Sequence, residues 1–154
     1  MEETIFYSQA NFDRDMKVLV GQLKGKGFDL IIGINRGGCL PAVCLSHALK
    51  IPTTMIDFST RDGANIHPKS LYGFFEELTD HYDNILIVDD LVDSGTAMKK
   101  LLSVVKNFTE PTVATLLHNV DIDLGVDHYY GTPYSRNLEK RYFDFWWEVY
   151  GKEN

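Results

Sequence analysis

Residues 85–97 read ILIVDDLVDSGTA: four branched apolar residues, two adjacent aspartates, then a third aspartate followed by Ser-Gly-Thr-Ala. The apolar run predicts a buried strand at 84–90, and the small residues after it predict a turn into a helix at 95–108. Two neighbouring carboxylates repel each other unless they bind a cation or hydrogen-bond donors. Ribose hydroxyls are such donors and Mg²⁺ is such a cation, while a Ser-Gly-Thr turn at a helix start suits a phosphate. Taken singly, these residues also fit a helix cap, a tight turn and a solvated strand end.

On either side of this stretch, short apolar segments alternate with helical ones. The predicted strands are 28–34, 51–58, 84–90, 112–118 and 126–131, and the predicted helices are 9–26, 41–50 and 95–108. Residues 59–70 are polar and predict a mobile loop, while residues 71–78 are ambiguous. The alternation predicts an open α/β fold, with a mostly parallel sheet and helices on both faces. Ligands of such sheets bind at the carboxyl ends of the strands, where the sequences NRGG, DDLVDSGTA and HNVD fall.

Composition and charge restrict the class of protein further. The 154 residues, 44% of them hydrophobic, suit one domain, and no apolar run approaches the length of a membrane span. A net charge of −7 argues against a nucleic-acid partner, because the phosphate backbone favours a basic surface. The first residues do not have the pattern of a signal peptide, and Cys39 and Cys44 are predicted to be free thiols. These features together predict a cytoplasmic protein.

The stretch 85–97 resembles the phosphoribosyl diphosphate (PRPP) signature of the type I phosphoribosyltransferases at all thirteen positions. The resemblance implies that Asp89 and Asp90 hold the ribose hydroxyls, directly or through Mg²⁺. It also implies that Asp93 is a catalytic acid/base at a purine ring nitrogen. The residues implied to wrap the 5′-phosphate are Asp93, Ser94, Gly95, Thr96 and Ala97. The whole chain, 1–154, is then one phosphoribosyltransferase domain, with a core at about 28–130 and a base-binding tail at about 131–154.

A second motif, INRGG at residues 34–38, resembles the diphosphate loop of the same family. The resemblance implies that Arg36, Gly37 and Gly38 hold the leaving diphosphate, and that the loop contains a cis peptide. A simple turn into a helix would also explain the motif if it stood alone. The polar loop 59–70 is placed to close over the site and exclude water.

Within the family, the chain most resembles the short xanthine-guanine enzymes, through YFDFWWE at 142–148. The resemblance implies that Tyr142 stacks on the base, that Phe143 makes a backbone contact, and that Asp144 meets a ring N–H or an exocyclic amine. The two tryptophans that follow are predicted to lie in the core or at a subunit interface. The 6-oxopurine enzymes usually carry a lysine after the fourth strand, where this chain has His118 and Asn119. Of these two, Asn119 is predicted to donate a hydrogen bond to the base.

These residues together predict a phosphoribosyltransferase that moves the 5-phosphoribosyl group from PRPP to a 6-oxopurine and releases diphosphate, a step of purine salvage that uses Mg²⁺. The alternatives are a different acceptor base and a regulatory protein that binds PRPP without chemistry. A phosphoacceptor receiver domain is excluded, because such domains begin with the ILIVDD strand and too little chain follows it here. The resemblance implies a homodimer or homotetramer.

Overall fold

The computed structural model describes residues 2–58 and 68–152. The chain forms seven strands, four α-helices and one 3₁₀ helix. In chain order they are β1 (Glu2–Tyr7), α1 (Gln9–Leu23), β2 (Leu30–Asn35), α2 (Cys39–Leu49), β3 (Thr53–Asp57), α3 (Pro68–Leu78), β4 (Ile85–Val92), α4 (Thr96–Val105), β5 (Thr112–Asn119), β6 (His128–Tyr134), β7 (Lys140–Phe145) and the 3₁₀ helix (Trp146–Lys152). None of the helices described in these two ranges is both long and apolar enough to cross a membrane.

The main sheet has five parallel strands in the order β3-β2-β4-β5-β6. Helices cover both faces of the sheet, so side chains on both sides of the strands are buried. Leu86 and Val88 point into the cluster beneath α1 and α2, whereas Ile85 and Ile87 point into the cluster beneath α3 and α4. All four side chains are fully buried. The predicted open α/β fold with helices on both faces is therefore confirmed.

A small second sheet pairs β1 with β7 in parallel and lies beside the cluster beneath α1 and α2. Tyr7 and Phe145, the last residues of these two strands, are buried and their rings lie 5.1 Å apart. Trp146 and Trp147 are partly buried and pack against the same cluster, which agrees with the first of their two predicted locations, the core or a subunit interface. We call this β1–β7 pair the clasp. The sequence did not predict it, and the tail was left without assigned elements.

Several predicted boundaries differ from the observed ones by a few residues. Strand β4 continues to Val92, so Asp89 and Asp90 lie within the strand, whereas the prediction ended it at residue 90. The ambiguous segment 71–78 belongs to helix α3, which begins at Pro68 and so includes the last residues of the predicted loop 59–70. Residues 59–67 of that loop lie outside the described residues. Cys39 and Cys44 both lie in α2 and are free thiols, as predicted.

Candidate active site

The two predicted loops meet where the order of the sheet reverses. Strands β2 and β4 are neighbours, but the connection from β2 leads through α2 to β3 on one side, and that from β4 leads through α4 to β5 on the other. The two connecting helices cover opposite faces of the sheet. Such a reversal opens a crevice beyond the carboxyl ends of the two strands. The predicted diphosphate loop and the predicted PRPP signature border this crevice.

The backbone of the predicted diphosphate loop lies directly against β4. A Cβ atom added to Gly37 would lie 2.0 Å from Asp90 Oδ2, and one added to Gly38 would lie 2.3 Å from the carbonyl oxygen of Val88. Only glycine leaves room for these two approaches, so the glycine pair has a packing reason in addition to the predicted ligand role. The peptide bond between Asn35 and Arg36 is cis, as the resemblance implied for this loop.

Side chains at the ends of β2 and β3 fix the start of this loop. Asn35 Nδ2 donates a hydrogen bond of 2.6 Å to Asp57 Oδ1, and the Cys39 thiol donates one of 2.5 Å to Asn35 Oδ1. Burial raises the pKa of the Cys39 thiol, and the carboxylates of Asp57 and Asp89 raise it further. The thiol therefore stays protonated and holds the asparagine amide in place, because a thiolate would be a poor neighbour for two carboxylates.

The predicted phosphate loop turns into α4 at Gly95, whose φ of 77° lies in the left-handed region that glycine favours. Gly95, the residue before α4, provides no side-chain cap, and of the first amide groups that of Thr96 donates to Ser94 Oγ, which leaves the following amides of the first turn for another acceptor. The Ser94 and Thr96 hydroxyl oxygens lie 3.3 Å apart at this end, and Ser94 Oγ lies 3.4 Å from the Thr96 amide. Backbone amides and two hydroxyls at a helix N-terminus suit a phosphate group.

The Asp93 side chain is held by two residues at the carboxyl end of β6: Tyr134, the last residue of the strand, and Arg136, which follows it. The Tyr134 hydroxyl donates a hydrogen bond of 2.8 Å to Asp93 Oδ1, and Arg136 Nε lies 3.2 Å from the same oxygen. Burial raises the pKa of the Tyr134 phenol, and the hydrogen bond to Asp93 raises it further, so the phenol remains a donor. Asp93 is partly buried, with 26% of its side chain exposed. A fixed, partly desolvated carboxylate beside a phosphate loop has the geometry of a general acid/base.

The side chain of Asn119 holds the loops around Asp93 together. Its Nδ2 donates a hydrogen bond of 2.9 Å to the carbonyl oxygen of Asp93, and its Oδ1 accepts from the backbone amides of Asp121 and Arg136, both at 3.2 Å. Asn119 is 3% exposed. These contacts occupy its carbonyl oxygen and one amide hydrogen, so the predicted contact with the base would depend on the other hydrogen alone.

His118, the other residue in place of the family's lysine, is buried against β6. Its ring centroid lies 4.0 Å from that of His128 and 5.1 Å from that of Tyr130. Burial lowers the pKa of His118, although the carboxylate of Asp123 partly opposes this effect. A neutral histidine packed in this cluster supplies no positive charge to a base.

The predicted base-binding residues of the tail lie on β7. Tyr142 is 44% exposed, and the Arg136 guanidinium lies over its ring with 4.7 Å between the guanidinium carbon and the ring centroid. Phe143 is partly buried and packs its ring against Tyr134, with the centroids 5.1 Å apart. Asp144 forms an ion pair with Lys152 of the 3₁₀ helix. Because Arg136 contacts both the Tyr142 ring and the Asp93 carboxylate, it links these two residues.

Two site residues, Tyr134 and Arg136, were not predicted from the sequence. The prediction ended the fifth strand at residue 131, whereas β6 continues to Tyr134. With the longer strand, the sequence YSR at 134–136 falls at the carboxyl end of β6, the same edge that gathers the other site residues. A tyrosine and an arginine at the end of a strand on that edge were the signal from which these two site residues could have been predicted.

An open parallel sheet with two such loops at its reversal point is typical of α/β proteins that bind phosphorylated nucleotides or sugars. The profile of the phosphoribosyl transferase domain matches residues 7–118, and the chain belongs to that family.

The xanthine-guanine phosphoribosyltransferase of Cereibacter sphaeroides (strain ATCC 17025) is 34% identical over 105 residues, which are 64% of this chain and 63% of that relative. The match therefore spans less than two thirds of the relative's length. A purine phosphoribosyltransferase structure from Pyrococcus horikoshii has a TM-score of 0.70 at 25% identity, covering 94% of this chain and 93% of that one. The xanthine-guanine-hypoxanthine phosphoribosyltransferase of Helicobacter pylori has a TM-score of 0.71 at 22% identity, with 97% of each chain covered, and shares the fold.

Proposed function

We propose that this protein transfers the 5-phosphoribosyl group from PRPP to a 6-oxopurine and releases diphosphate. The observation that carries this proposal is the contact of Gly37 with the carboxylate of Asp90, because it brings two phosphate-type loops to one crevice. Family membership and the names of the similar purine enzymes support the same reaction.

Each loop receives one part of PRPP in this proposal. The amides and hydroxyls of residues 93–97 hold the 5′-phosphate, and the carboxylates of Asp89 and Asp90 accept from the ribose hydroxyls. Arg36 and the backbone at Gly37 and Gly38 hold the diphosphate. As the purine nitrogen bonds to C1 of the ribose, the C1–oxygen bond to diphosphate breaks. The Arg36 guanidinium stabilises the negative charge that develops on the departing oxygen.

Asp93 handles the proton in the proposed reaction. The purine loses one ring proton when a ring nitrogen bonds to the ribose, and the Asp93 carboxylate takes up that proton. Tyr134 and Arg136 fix the orientation of the carboxylate. Tyr142 stacks on the base, and Asp144 meets a ring N–H or an exocyclic amine.

The donor set at the end of β4 fits Mg²⁺. Asp89 and Asp90 are adjacent carboxylates, and the Asp90 carboxylate occupies the space that a side chain on Gly37 would fill. Within the described residues no group of three or more His, Cys, Asp or Glu side chains is placed to hold a metal ion. Mg²⁺ commonly binds through one or two carboxylates together with substrate phosphates. When bound, Mg²⁺ supplies positive charge to the diphosphate.

The test is diphosphate release from PRPP and Mg²⁺ with a panel of guanine, hypoxanthine, xanthine, adenine, uracil, orotate and nicotinamide. Release with the 6-oxopurines supports the proposal, and release with another base alone corrects the acceptor. If no base supports release while PRPP binds measurably, the protein is a PRPP-binding regulator.

We also propose that the chain acts as a single domain in the cytoplasm, as a homodimer or homotetramer. Its two cysteines are free thiols, which suits a reducing compartment. Exposed apolar side chains on the clasp and the 3₁₀ helix, Phe6 and Tyr150 among them, suit a subunit contact. Light scattering at several protein concentrations tests the oligomeric state.

A further inference from the structure

A 6-oxopurine presents a carbonyl oxygen that a specific site pairs with a donor. The family's lysine is absent here, and the two residues in its place are engaged elsewhere. His118 is packed against His128 and Tyr130, and Asn119 holds the loop that carries Asp93. Asn119 has one amide hydrogen left and His118 supplies no charge, so a charged donor for the purine carbonyl would come from another element.

Arg136 is a cation that lies close to both the predicted acid/base and the predicted stacking ring. Its Nε lies 3.2 Å from Asp93 Oδ1, and its guanidinium carbon lies 4.7 Å from the Tyr142 ring centroid. The backbone of Arg136 is held in place, because its amide donates a hydrogen bond of 3.2 Å to Asn119 Oδ1. Arg136 is therefore anchored at its backbone, while its charged end lies between the two residues that contact the base in the proposed function.

The guanidinium has unused donors. Its Nη2 donates a hydrogen bond of 3.3 Å to the Arg141 carbonyl oxygen. Its Nε is buried and makes no hydrogen bond among the described residues, since the approach to Asp93 is an ion pair without hydrogen-bond alignment. A buried N–H without an acceptor is costly, and an added acceptor would relieve that cost.

We propose that Arg136 is the specificity-determining residue that donates to the 6-oxo group of the purine; this inference rests on the proposed function. On a purine, N7 and the 6-substituent lie side by side on one edge, and arginine reads N7 and O6 of guanine there in other proteins. If Asp93 meets the ring nitrogen of this edge, its ion-pair partner lies next to the 6-substituent. Arginine carries only donors, so it favours a 6-oxo over a 6-amino group.

The ligand-free position of Arg136 is compatible with this role. The flat guanidinium covers the face of Tyr142 on which the base is proposed to stack, as cations and planar groups do on aromatic rings. An entering purine takes that place, and the guanidinium turns aside about its own side-chain bonds toward the purine edge. The side chain is 33% exposed, which gives it room to turn.

The experiment compares hypoxanthine with unsubstituted purine, which lacks the 6-carbonyl group together with the N1–H that accompanies it. The variants are Arg136→Met and Arg136→Lys, and the matched control is Arg141→Met. Arg141 has the same 33% side-chain exposure, but its partner is Glu139 instead of Asp93. Steady-state kcat/KM is measured for both bases at saturating PRPP, together with the KM for PRPP.

We expect Arg136→Met to lower the ratio of kcat/KM for hypoxanthine to that for unsubstituted purine by about 10- to 100-fold. Arg136→Lys keeps the charge and should retain part of the preference, whereas Arg141→Met should leave the ratio unchanged. The KM for PRPP should stay the same in all three variants. The Lys variant also carries the test if Arg136→Met does not fold.

Four results would overturn the inference. An equal loss for both bases would mean that Arg136 acts only by positioning Asp93. An equal shift in Arg141→Met would mean a general charge effect. If the wild-type protein turns over no base at all, the proposed function itself fails and the inference fails with it. If wild type turns over hypoxanthine but Arg136→Met leaves the ratio of kcat/KM values unchanged, the inference fails and the proposed function stands.

Discussion

The Tyr134 hydroxyl donates a 2.8 Å hydrogen bond to Asp93 Oδ1 from the far side of an intervening strand. Asp93 follows β4 and Tyr134 ends β6, with β5 between them in the sheet. The bond therefore spans the carboxyl edge of three strands and fixes a carboxylate that would otherwise rotate at the start of a loop. It joins the predicted PRPP loop to the part of the chain that leads to Tyr142.

Tyr134→Phe removes this bond while keeping the ring that packs on Phe143. We expect kcat to fall by about 10- to 100-fold, because a small misplacement of a catalytic group costs that much. The free energy of unfolding should fall by about 1 kcal/mol. Steady-state kinetics and urea unfolding measure the two effects. Tyr129→Phe is the control on the same strand, because its ring contacts Lys26 instead of the site; an equal loss of kcat there would contradict the assignment.

Asp93→Asn should lower kcat by about 10²- to 10⁴-fold, since an amide cannot take up the purine proton. PRPP binding, measured by calorimetry, should be nearly unchanged. Asp29→Asn is the matched control: its carboxylate is likewise held by neighbouring groups, accepting hydrogen bonds from the amides of Asp83 and Asn84, but at the opposite end of β2. Equal activity of Asp93→Asn and wild type would remove Asp93 from the chemistry.

Gly37→Ala should damage PRPP binding more than folding. The new methyl group would meet the Asp90 carboxylate and force it to turn away from the crevice. We expect the KM for PRPP to rise roughly tenfold or more. Gly73→Ala is the control, because nothing lies within 4 Å of the added carbon and alanine suits a helix better by about 0.5–1 kcal/mol. A normal KM in Gly37→Ala would show that the carboxylate position does not matter for PRPP.

The histidine pair makes stability depend on pH. Burial and, to a smaller extent, the neighbouring His118 together lower the pKa of His128 from its ordinary 6.5 to about 3. Between these two values the unfolded chain binds a proton that the folded protein does not. The contribution of His128 to the free energy of unfolding is therefore fully present above about pH 6.5 and is lost as the pH falls toward 3.

Between pH 7 and pH 5, the free energy of unfolding of wild type should fall by about 2 kcal/mol because of His128. This part of the fall should be absent in His128→Gln. Urea unfolding at the two pH values measures it, and comparing differences cancels the cost of the lost 2.8 Å contact between the His128 ring and Thr115. His47→Gln, on the exposed side of α2, is the control and should keep the wild-type difference. A wild-type pH difference in His128→Gln would contradict the prediction.

The main sheet and its two loops could be predicted because their signals are local. Branched apolar runs mark β2, β4 and β5, and the sequences NRGG and DSGTA follow two of them directly. Helix α3 was ambiguous because its apolar residues suit more than one period. The site residues Tyr134 and Arg136 were missed because β6 carries polar residues along its length, so the sequence did not reveal where the strand ends.

The clasp could not be predicted for a different reason. Strand β1 is six residues long, and its partner lies near the other end of the described chain. Nothing in the sequence EETIFY indicates which distant segment it meets. Likewise, the engagement of Asn119 with the Asp93 carbonyl depends on two loops that meet only in the folded sheet.

Because β1 pairs with β7, we expect the predicted PRPP site to form before the predicted base site during folding. The strand–helix units from β2 to β6 assemble through neighbours that are close in sequence, whereas the clasp must join Glu2 to Lys140 and close almost the whole chain into a loop. We expect the PRPP crevice to form during this earlier assembly. Tyr142 lies on β7, so we expect the predicted stacking residue to be the last part of the candidate site to reach its position.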